Sequence, residues 1–443
     1  MIVGAGYAGY HCARHLERRL PREAAEIVIV SPADYMPYTS LLPEVGAGTV
    51  DPLHIAVSLP GTLRRTRHVP GHAIGVDFTN RSITVAGPDG QRRELNWHRL
   101  LLTPGSVSRT LPLPGISEQA KGFTNIAEAL YLRDHILGQM ELADASDDPA
   151  QRRARCTFVV AGAGTTGTEV AAQGQLFTRA ALRRYPRIRP GELRWLLVDH
   201  APAVLPELGP RLAGPALRIL RRRGVEVRLN TSLEEVTGSA VRLSDGTAVP
   251  THTLVWSVGV TPGPLTQALG LDTINGRIVV DEYLTVPGHP DVFAAGDAAA
   301  APDLTRPGQL TAMTAQHAQR QGKTAARNIA ATLGHGTRKP YKHRDLGSVV
   351  DLGGWQAVAN PLHIPMSGPL ASFITRGYHL YALPANRMRV ATDWFNDIIE
   401  HRQFVQLGLI PAEYSGLTAA EHTDIYYQTD GQPHDRQQQE STT

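Results

Sequence analysis

The sequence is poor in cysteine: its 443 residues include only Cys12 and Cys156. The two stand far apart and belong to no Cys-x-x-Cys pair. That argues against a disulfide scaffold, a thiolate zinc site and a vicinal dithiol redox centre, and no metal site is expected. A reducing compartment is the simplest setting for such a chain. There is no run of 18 apolar residues and no basic-then-apolar leader, so neither a membrane span nor an export signal is expected. No charge sign is in excess, since 44 Lys and Arg against 41 Asp and Glu leave +3. Basic residues are dispersed apart from short clusters at Arg64, Arg65, Arg67 and at Arg218, Arg221, Arg222, Arg223, and no nucleic-acid partner is expected. With 42% hydrophobic and 19% charged residues, the chain reads as an ordinary globular protein, long enough for two or three domains.

What is plentiful is glycine, with 42 residues. The chain opens MIVGAGYAGY, in which Gly4, Gly6 and Gly9 have the spacing of a phosphate-binding turn. Only Met1, Ile2 and Val3 precede it, where a complete strand normally stands, and a single such motif is weak evidence in a glycine-rich chain. A second motif changes its weight. In CTFVVAGAGTTGTE, Gly162, Gly164 and Gly167 lie between an apolar strand and a helix. The first glycine permits the tight turn, the second lets backbone approach a pyrophosphate, and the third allows close helix packing. The bare helix N-terminus then offers N–H groups and a positive dipole end to phosphates.

The pattern between these motifs predicts a fold. Strand, glycine turn, a helix over about 8–20 and the β-branched strand EIVIVS make a βαβ unit. Short strands broken by GPDGQ follow, ending in HRLLLTPGS, and ADASDDPAQRRAR (143–155) reads as a linker or exposed loop. The unit then repeats through the strand LRWLLVDH. Further strands are expected at GVEVRLN, TLVWSVG and GRIVVD, then DVFAAGDAAA, with a helix over roughly 310–332. The fold class expected is α/β, with two Rossmann-like dinucleotide-binding domains and a C-terminal mixed region carrying amphipathic helices. Residues 413–443 form a polar tail expected to be disordered.

Three acids or hydroxyls qualify as ligand contacts. Asp199 closes the second strand of the second unit, where a carboxylate accepts from an unphosphorylated ribose 2′-OH and repels a 2′-phosphate, favouring NADH over NADPH. The matching residue of the first unit is Ser31, a weaker signal. In VFAAGDAAA, Gly296 and Asp297 follow an apolar strand; an acid beside a glycine there is often only a cap.

The order of first GxGxxG, LLLTPGS, GAGTTGTE, LVWSVGVTP and DVFAAGD resembles the two-dinucleotide-binding-domain flavoproteins. There the first unit holds FAD and the second, inserted into it, holds NAD(P)H. Within that superfamily, DYMPYTSLLPEVGAG, the long helical stretch between Gly167 and Asp199, VDHAPAVLPEL and TAQHAQRQGK look like type II NADH dehydrogenases, the single-subunit NADH:quinone oxidoreductases. The resemblance covers about residues 1–410. It implies an FAD domain from 1–150 and 268–345, an NADH domain over 151–267 and an acceptor or membrane-surface region over 346–412. It also implies electron transfer from NADH to a membrane quinone without proton pumping, at the inner face of the cell membrane.

Carried over by position, Gly4, Gly6 and Gly9 would hold the FAD pyrophosphate and Asp297 its ribityl-phosphate region. Gly162, Gly164, Gly167 and Asp199 would hold NADH. Glu169 matches a family acid on the nicotinamide side, although a first-turn Glu complementing the helix dipole is the plainer reading. In TAQHAQRQGK, Gln316 matches the first glutamine of the quinone stretch and Arg320 stands for the second, with Gln321 beside it; this departure bears on which acceptor is used. His317 is expected to be packed or solvated. A soluble flavoprotein reductase with a protein, oxygen or small-molecule acceptor, or an FAD- and NADH-binding redox-responsive protein, are the alternatives.

Near the C-terminus, Leu370, Phe373, Ile374, Tyr378 and Tyr381 recur at helical spacing, as do Trp394, Ile398, Val405 and Leu409, with a second row at Phe395 and Ile399. Either these are core-facing amphipathic helices, or, as the resemblance implies, they lie on a membrane surface with Arg376, Arg387, Arg389 and Arg402 near the interface. A homodimer contact is a further expectation for this region. The short opening segment spans only about 10 Å of strand, where central strands usually have five or six residues. Either the true start lies upstream, or the first strand is truncated and FAD is held more weakly.

Overall fold

A computed structural model describes residues 1–400, 402–412 and 417. The tail expected at 413–443 lies outside the described residues except for Leu417, which is buried.

The first glycine unit builds a six-stranded sheet in the order Thr285–Val286, His289–Ala294, Leu100–Leu102, Ile2–Val3, Ile27–Ser31, Thr66–Pro70. All neighbours are parallel except the first pair. Ile2–Val3 is two residues long yet central, pairing Ile2 with Ile29 on one side and Leu101 on the other. Its neighbours extend the ladder at both ends: Leu101 N donates to Met1 O at 2.9 Å and Gly4 N to Val30 O at 2.8 Å. Ile2, Ile29, Leu101 and Phe293 are all buried in the core, as strands covered on both faces require.

The second unit lies in sequence between Leu100–Leu102 and His289–Ala294, so it is an insertion into the first. Its four parallel strands run Val225–Arg228, Arg194–Val198, Thr157–Ala161, Thr253–Trp256. The antiparallel pair Ser106–Ser108 and Val260–Pro262 joins the two units. Each unit also carries a small antiparallel sheet, His72–Asp77 with Ser82–Ala86 and Arg92–Asn96 in the first, and Leu233–Val236 with Ala240–Leu243 and Ala248–Pro250 in the second. A third, Val349–Asp351 with Ala357–Ala359 and Met366–Gly368, opens the C-terminal region.

Three expectations need correction. Residues 143–155 are not a loop: the helix Ile126–Ala145 runs into them, and Pro149–Arg155 is helical, with Asp148 accepting from Ala150 N at 2.7 Å and Pro149 preset for the first turn. The helix expected from about 310 begins at Ala315, capped by the Thr314 side chain. Val405 and Leu409 do not continue the helical row of Trp394 and Ile398, because the helix Arg387–Ile399 ends at an extended Glu400. The chain beyond is instead tied along the helix Ile126–Ala145, with Leu407 N and Gly408 N donating to Asp134 Oδ2 and Gln406 to Glu141.

The C-terminal helices reverse the core-facing reading. In Pro369–Ala382 the buried stripe is small and polar, Ala371, Ser372, Thr375 and His379, while Leu370, Phe373 and Tyr381 are 62%, 70% and 80% exposed. In Arg387–Ile399, Val390 and Trp394 are buried and Met388, Phe395, Ile398 and Ile399 are exposed. Among the described residues no helix is long and apolar enough to cross a membrane.

Candidate active site

The two glycine turns are built alike. Gly4 and Gly162 adopt φ of +96° and +100°, and a Cβ on either would strike a carbonyl oxygen at 2.1 Å, that of Thr103 or of Ser257. Gly9 and Gly167 each pass so near the first glycine of their own turn that a Cβ would lie 1.9 Å from its carbonyl oxygen. The middle glycines, Gly6 and Gly164, face open space, with nothing within 4 Å of a built Cβ. Each is the N-cap of a helix, Tyr7–Arg19 or Thr165–Ala181, and neither helix start is capped by a side chain. A phosphate cradle needs this arrangement: free N–H groups, no Cβ in the approach and a helix dipole behind. Both turns therefore fit a dinucleotide pyrophosphate.

Gly296 and Asp297 meet the first turn. A Cβ at Gly296 would lie 3.2 Å from that of Ala8, and Asp297 Oδ2 accepts from Ser106 Oγ at 2.7 Å. Burial pushes the Asp297 carboxyl above its ordinary range; the Ser106 bond and the Arg277 charge oppose it. Gly296 N donates to Gln321 Oε1 at 2.7 Å, and Gln321 Nε2 in turn donates to Thr311. Gln321, which the sequence places merely beside the quinone stretch, is thus a fully buried brace of the Asp297 turn. Ser31 closes its strand at the carboxyl end of the same sheet, buried.

Asp199 is already engaged by protein. Its Oδ2 accepts from Ala163 N, inside the second glycine turn, at 2.5 Å, and its Oδ1 accepts from Ala201 N at 2.7 Å. The carboxylate thereby fixes the turn and stands where a ribose hydroxyl could replace or share these bonds.

Glu169 is not a first-turn residue. It is the fifth residue of its helix and 8% exposed, with Oε1 accepting from Asp351 N at 2.9 Å. Burial raises its carboxyl well above the ordinary range, and the carboxyls of Asp351 and Glu44 add to the rise. Nothing in the sequence links Glu44 or Asp351 to Glu169; the fold brings all three together.

Gln316 and Arg320 together clamp the strap before the C-terminal sheet, with Gln316 Nε2 donating to Gly347 O at 3.1 Å and Arg320 to Arg344 O at 2.5 Å. Arg320 also reaches His343 Nδ1 at 3.2 Å. In AQHAQ, Gln319 lies three residues beyond Gln316, on the same helix face and half-buried, an amide that reading for a four-residue spacing passes over. His317 is packed, with Nδ1 2.8 Å from Tyr341 Oη and its ring stacked on His343 at 3.9 Å; burial, then His343, pushes it down to about 4.

These features define a two-nucleotide flavoprotein reductase without a dithiol, since Cys12 and Cys156 are separately buried. Residues 1–322 match the family described as pyridine nucleotide-disulphide oxidoreductase, to which the chain belongs. It is 32% identical over 406 residues to the type II NADH:quinone oxidoreductase NdhA of Mycobacterium tuberculosis, covering 88% of this chain and 84% of that protein. It is 27% identical to the type II NADH:quinone oxidoreductase of Staphylococcus aureus, over 85% and 92% of the two chains. The fold is similar to that of Plasmodium falciparum NDH2 in complex with NADH, with a TM-score of 0.84 at 17% identity over 91% of this chain and 99% of that one. Within its family, the chain is a member of the type II NADH:quinone oxidoreductases.

Proposed function

We propose that the protein oxidises NADH at the second glycine unit and delivers the electrons to a membrane quinone. The observation that carries this is the doubled glycine turn, each copy open at its middle glycine and backed by an uncapped helix, in a chain related along most of its length to NADH:quinone oxidoreductases. FAD, when bound, supplies a hydride acceptor that can release electrons at a different place.

The first turn, with Gly4, Gly6 and Gly9, receives the FAD pyrophosphate, and Asp297, braced by Gln321, meets its ribityl-phosphate region. Gly162, Gly164, Gly167 and Asp199 receive NADH. Glu169 stands on the nicotinamide side. Gln316 and Gln319, with Arg320 holding the adjoining strap, orient the acceptor. In domain terms, 1–150 with 268–345 hold FAD, 151–267 holds NADH and 346–412 meets acceptor and membrane.

The exposed Leu370, Phe373, Tyr381, Met388, Phe395, Ile398 and Ile399 form an apolar face flanked by exposed Arg387 and Arg389, the pattern of a helix lying in a lipid interface. The face supports our reading of peripheral attachment to a membrane surface, taken to be the inner face of the cell membrane; a homodimer contact is the alternative use of the same residues. An assay of NADH oxidation across quinone analogues, ferricyanide and oxygen tests the reading. Quinone-dependent turnover is expected; flavin-loaded protein that oxidises NADH but reduces no quinone overturns it.

A further inference from the structure

Arg277 opens the short strand Arg277–Val279, which pairs in parallel with Ala299–Ala300, Ile278 against Ala299. This register sets Arg277 beside the turn Gly296–Ala298 that carries Asp297. Arg277 is 7% exposed. A guanidinium taken out of water needs an anion or a full set of acceptors. Arg277 has neither among the described residues: it forms no ion pair, Nη1 donates to Thr311 O at 2.8 Å, Nη2 reaches Thr311 Oγ1 only at 3.5 Å, and Nε has no acceptor.

That charge stands at one end of a buried hydrogen-bonded chain. Thr311 Oγ1 accepts from Gln321 Nε2 at 3.0 Å, Gln321 Oε1 accepts from Gly296 N at 2.7 Å, and Asp297 follows, its Oδ2 accepting from Ser106 Oγ at 2.7 Å. Thr311 and Gln321 are fully buried, whereas Asp297 is only half-buried, so the acid is the member of the chain open to a ligand. Burial opposes ionisation of Asp297; Ser106 and Arg277 favour it. On the neighbouring helix Ala315–Thr332, burial and His343 push His317 down to about 4, so it brings no charge at neutral pH, and Asp303 and Arg320 act on His317 rather than on Asp297. Arg277 is thus the cation on which an ionised Asp297 depends.

We propose that Arg277 is a positioning residue of the FAD site: its buried charge keeps Asp297 ionised, and the Thr311–Gln321 chain that it anchors holds the Asp297 turn in the shape that receives the ribityl region. This rests on the reading that FAD occupies the first unit. A carboxylate offers only acceptors, and a proton on it turns one oxygen into a donor. An acid that must accept from cofactor hydroxyls in a half-buried site therefore needs a fixed cation nearby, and one fully enclosed by protein is not screened by salt as a surface charge would be. Without that cation the turn would still be built, but its acid would take up a proton as pH falls.

The test follows FAD release from the flavin-loaded full chain on dilution, read as the rise in flavin fluorescence between about pH 6 and pH 8.5, in wild type, Arg277→Gln, Arg277→Lys and the double variant Arg277→Gln with Asp297→Asn. Wild type and Arg277→Lys should hold FAD with little change across the range. Arg277→Gln keeps an amide donor for Thr311 O and loses only the charge. It should hold FAD less tightly at pH 6 than at pH 8.5 by about tenfold or more, since an acceptor that titrates loses up to tenfold in affinity per pH unit. In the double variant that pH dependence should vanish, because no carboxyl remains at the turn to titrate. A loss in Arg277→Gln that is equal at every pH would make Arg277 a structural brace only and overturns the proposal, as does a pH dependence that survives Asp297→Asn. Should Arg277→Gln not fold, Ser106→Ala takes its place: it removes the other group that favours the ionised carboxyl, the same weakening towards low pH is expected, and a flat profile overturns the proposal. Wild type that retains no flavin overturns both the proposal and the FAD assignment.

Discussion

Gly322 crosses Ala8 so closely that a Cβ on Gly322 would lie 2.2 Å from the Ala8 carbonyl oxygen. Ala8 sits in the first turn of Tyr7–Arg19 and also abuts Gly296, so three separate motifs meet at one small residue. The contact ties together the first glycine turn, AAGD and the TAQHAQRQGK stretch: the helix Ala315–Thr332 packs directly on the phosphate-facing one. Gly322→Ala should therefore cost about 1–3 kcal/mol of stability, the usual penalty for overpacking, and lower the flavin retained per chain. Gly377→Ala, at an exposed helical position with nothing within 4 Å of its Cβ, should instead stabilise by about 0.5–1 kcal/mol. Thermal unfolding and flavin absorbance on both variants check this; equal behaviour of the two would show that the helix crossing tolerates a methyl group.

Asp199→Arg should shift the ratio of kcat/KM towards NADPH by at least tenfold while lowering activity with both nucleotides. The shift follows from replacing a carboxylate that repels a 2′-phosphate. The loss follows from the protein's own use of Asp199: without it the Ala163 N–H in the glycine turn loses its partner, at a cost of about 1–3 kcal/mol for a buried donor. Steady-state kinetics with NADH and NADPH on both proteins measure the two effects separately, and unchanged selectivity would refute the ribose assignment.

The glycine turns were legible in sequence because each glycine answers a local need, a positive φ or a backbone approach, that no other residue meets as readily. The parallel sheets were legible from their β-branched runs. The C-terminal helices show where such reading stops: periodicity reported two stripes but not which one faces inward. Ala371, Ser372 and Thr375 let the helix pack closely, and the large residues are left outside. Asp148 followed by Pro149 is a helix-start signal that lay in plain view inside an apparent linker. The carboxyl cluster could not be found this way, since Glu44 belongs to a short N-terminal helix and Asp351 to a C-terminal strand, and only tertiary structure joins them.

Phe373→Glu and Phe395→Glu should each weaken sedimentation with anionic lipid vesicles. Burying one large apolar side chain is worth about 1.5–3 kcal/mol, so each change should reduce the bound fraction by about tenfold or more in partition coefficient. Because both side chains are exposed in the isolated chain, thermal stability and oxidation of NADH with ferricyanide should stay near wild type. Vesicle binding unaffected by the pair, together with a change in sedimentation velocity from dimer to monomer, would assign the face to self-association instead.

Stability should pass through a maximum as pH varies, because two sets of buried groups act in opposite senses. Burial pushes His11 down to about 3 and His379 to about 4, the latter packed against Tyr38 with its Nδ1 3.2 Å from the phenol oxygen. These rings stay neutral when folded but bind protons when unfolded, near pH 6.5. Their favourable balance is complete above about pH 6.5 and is lost as pH falls towards 4, at up to about 1.4 kcal/mol per pH unit for each ring. Glu44 has a raised carboxyl and therefore the reverse sign. Its contribution is complete below the unfolded value near 4.5 and is lost as pH rises through the folded one. Urea unfolding between pH 4.5 and pH 9 should show His379→Gln flattening the acid limb and Glu44→Gln the alkaline limb. A Glu44→Gln curve parallel to wild type above pH 7 would mean that the buried carboxyl titrates alike in both states.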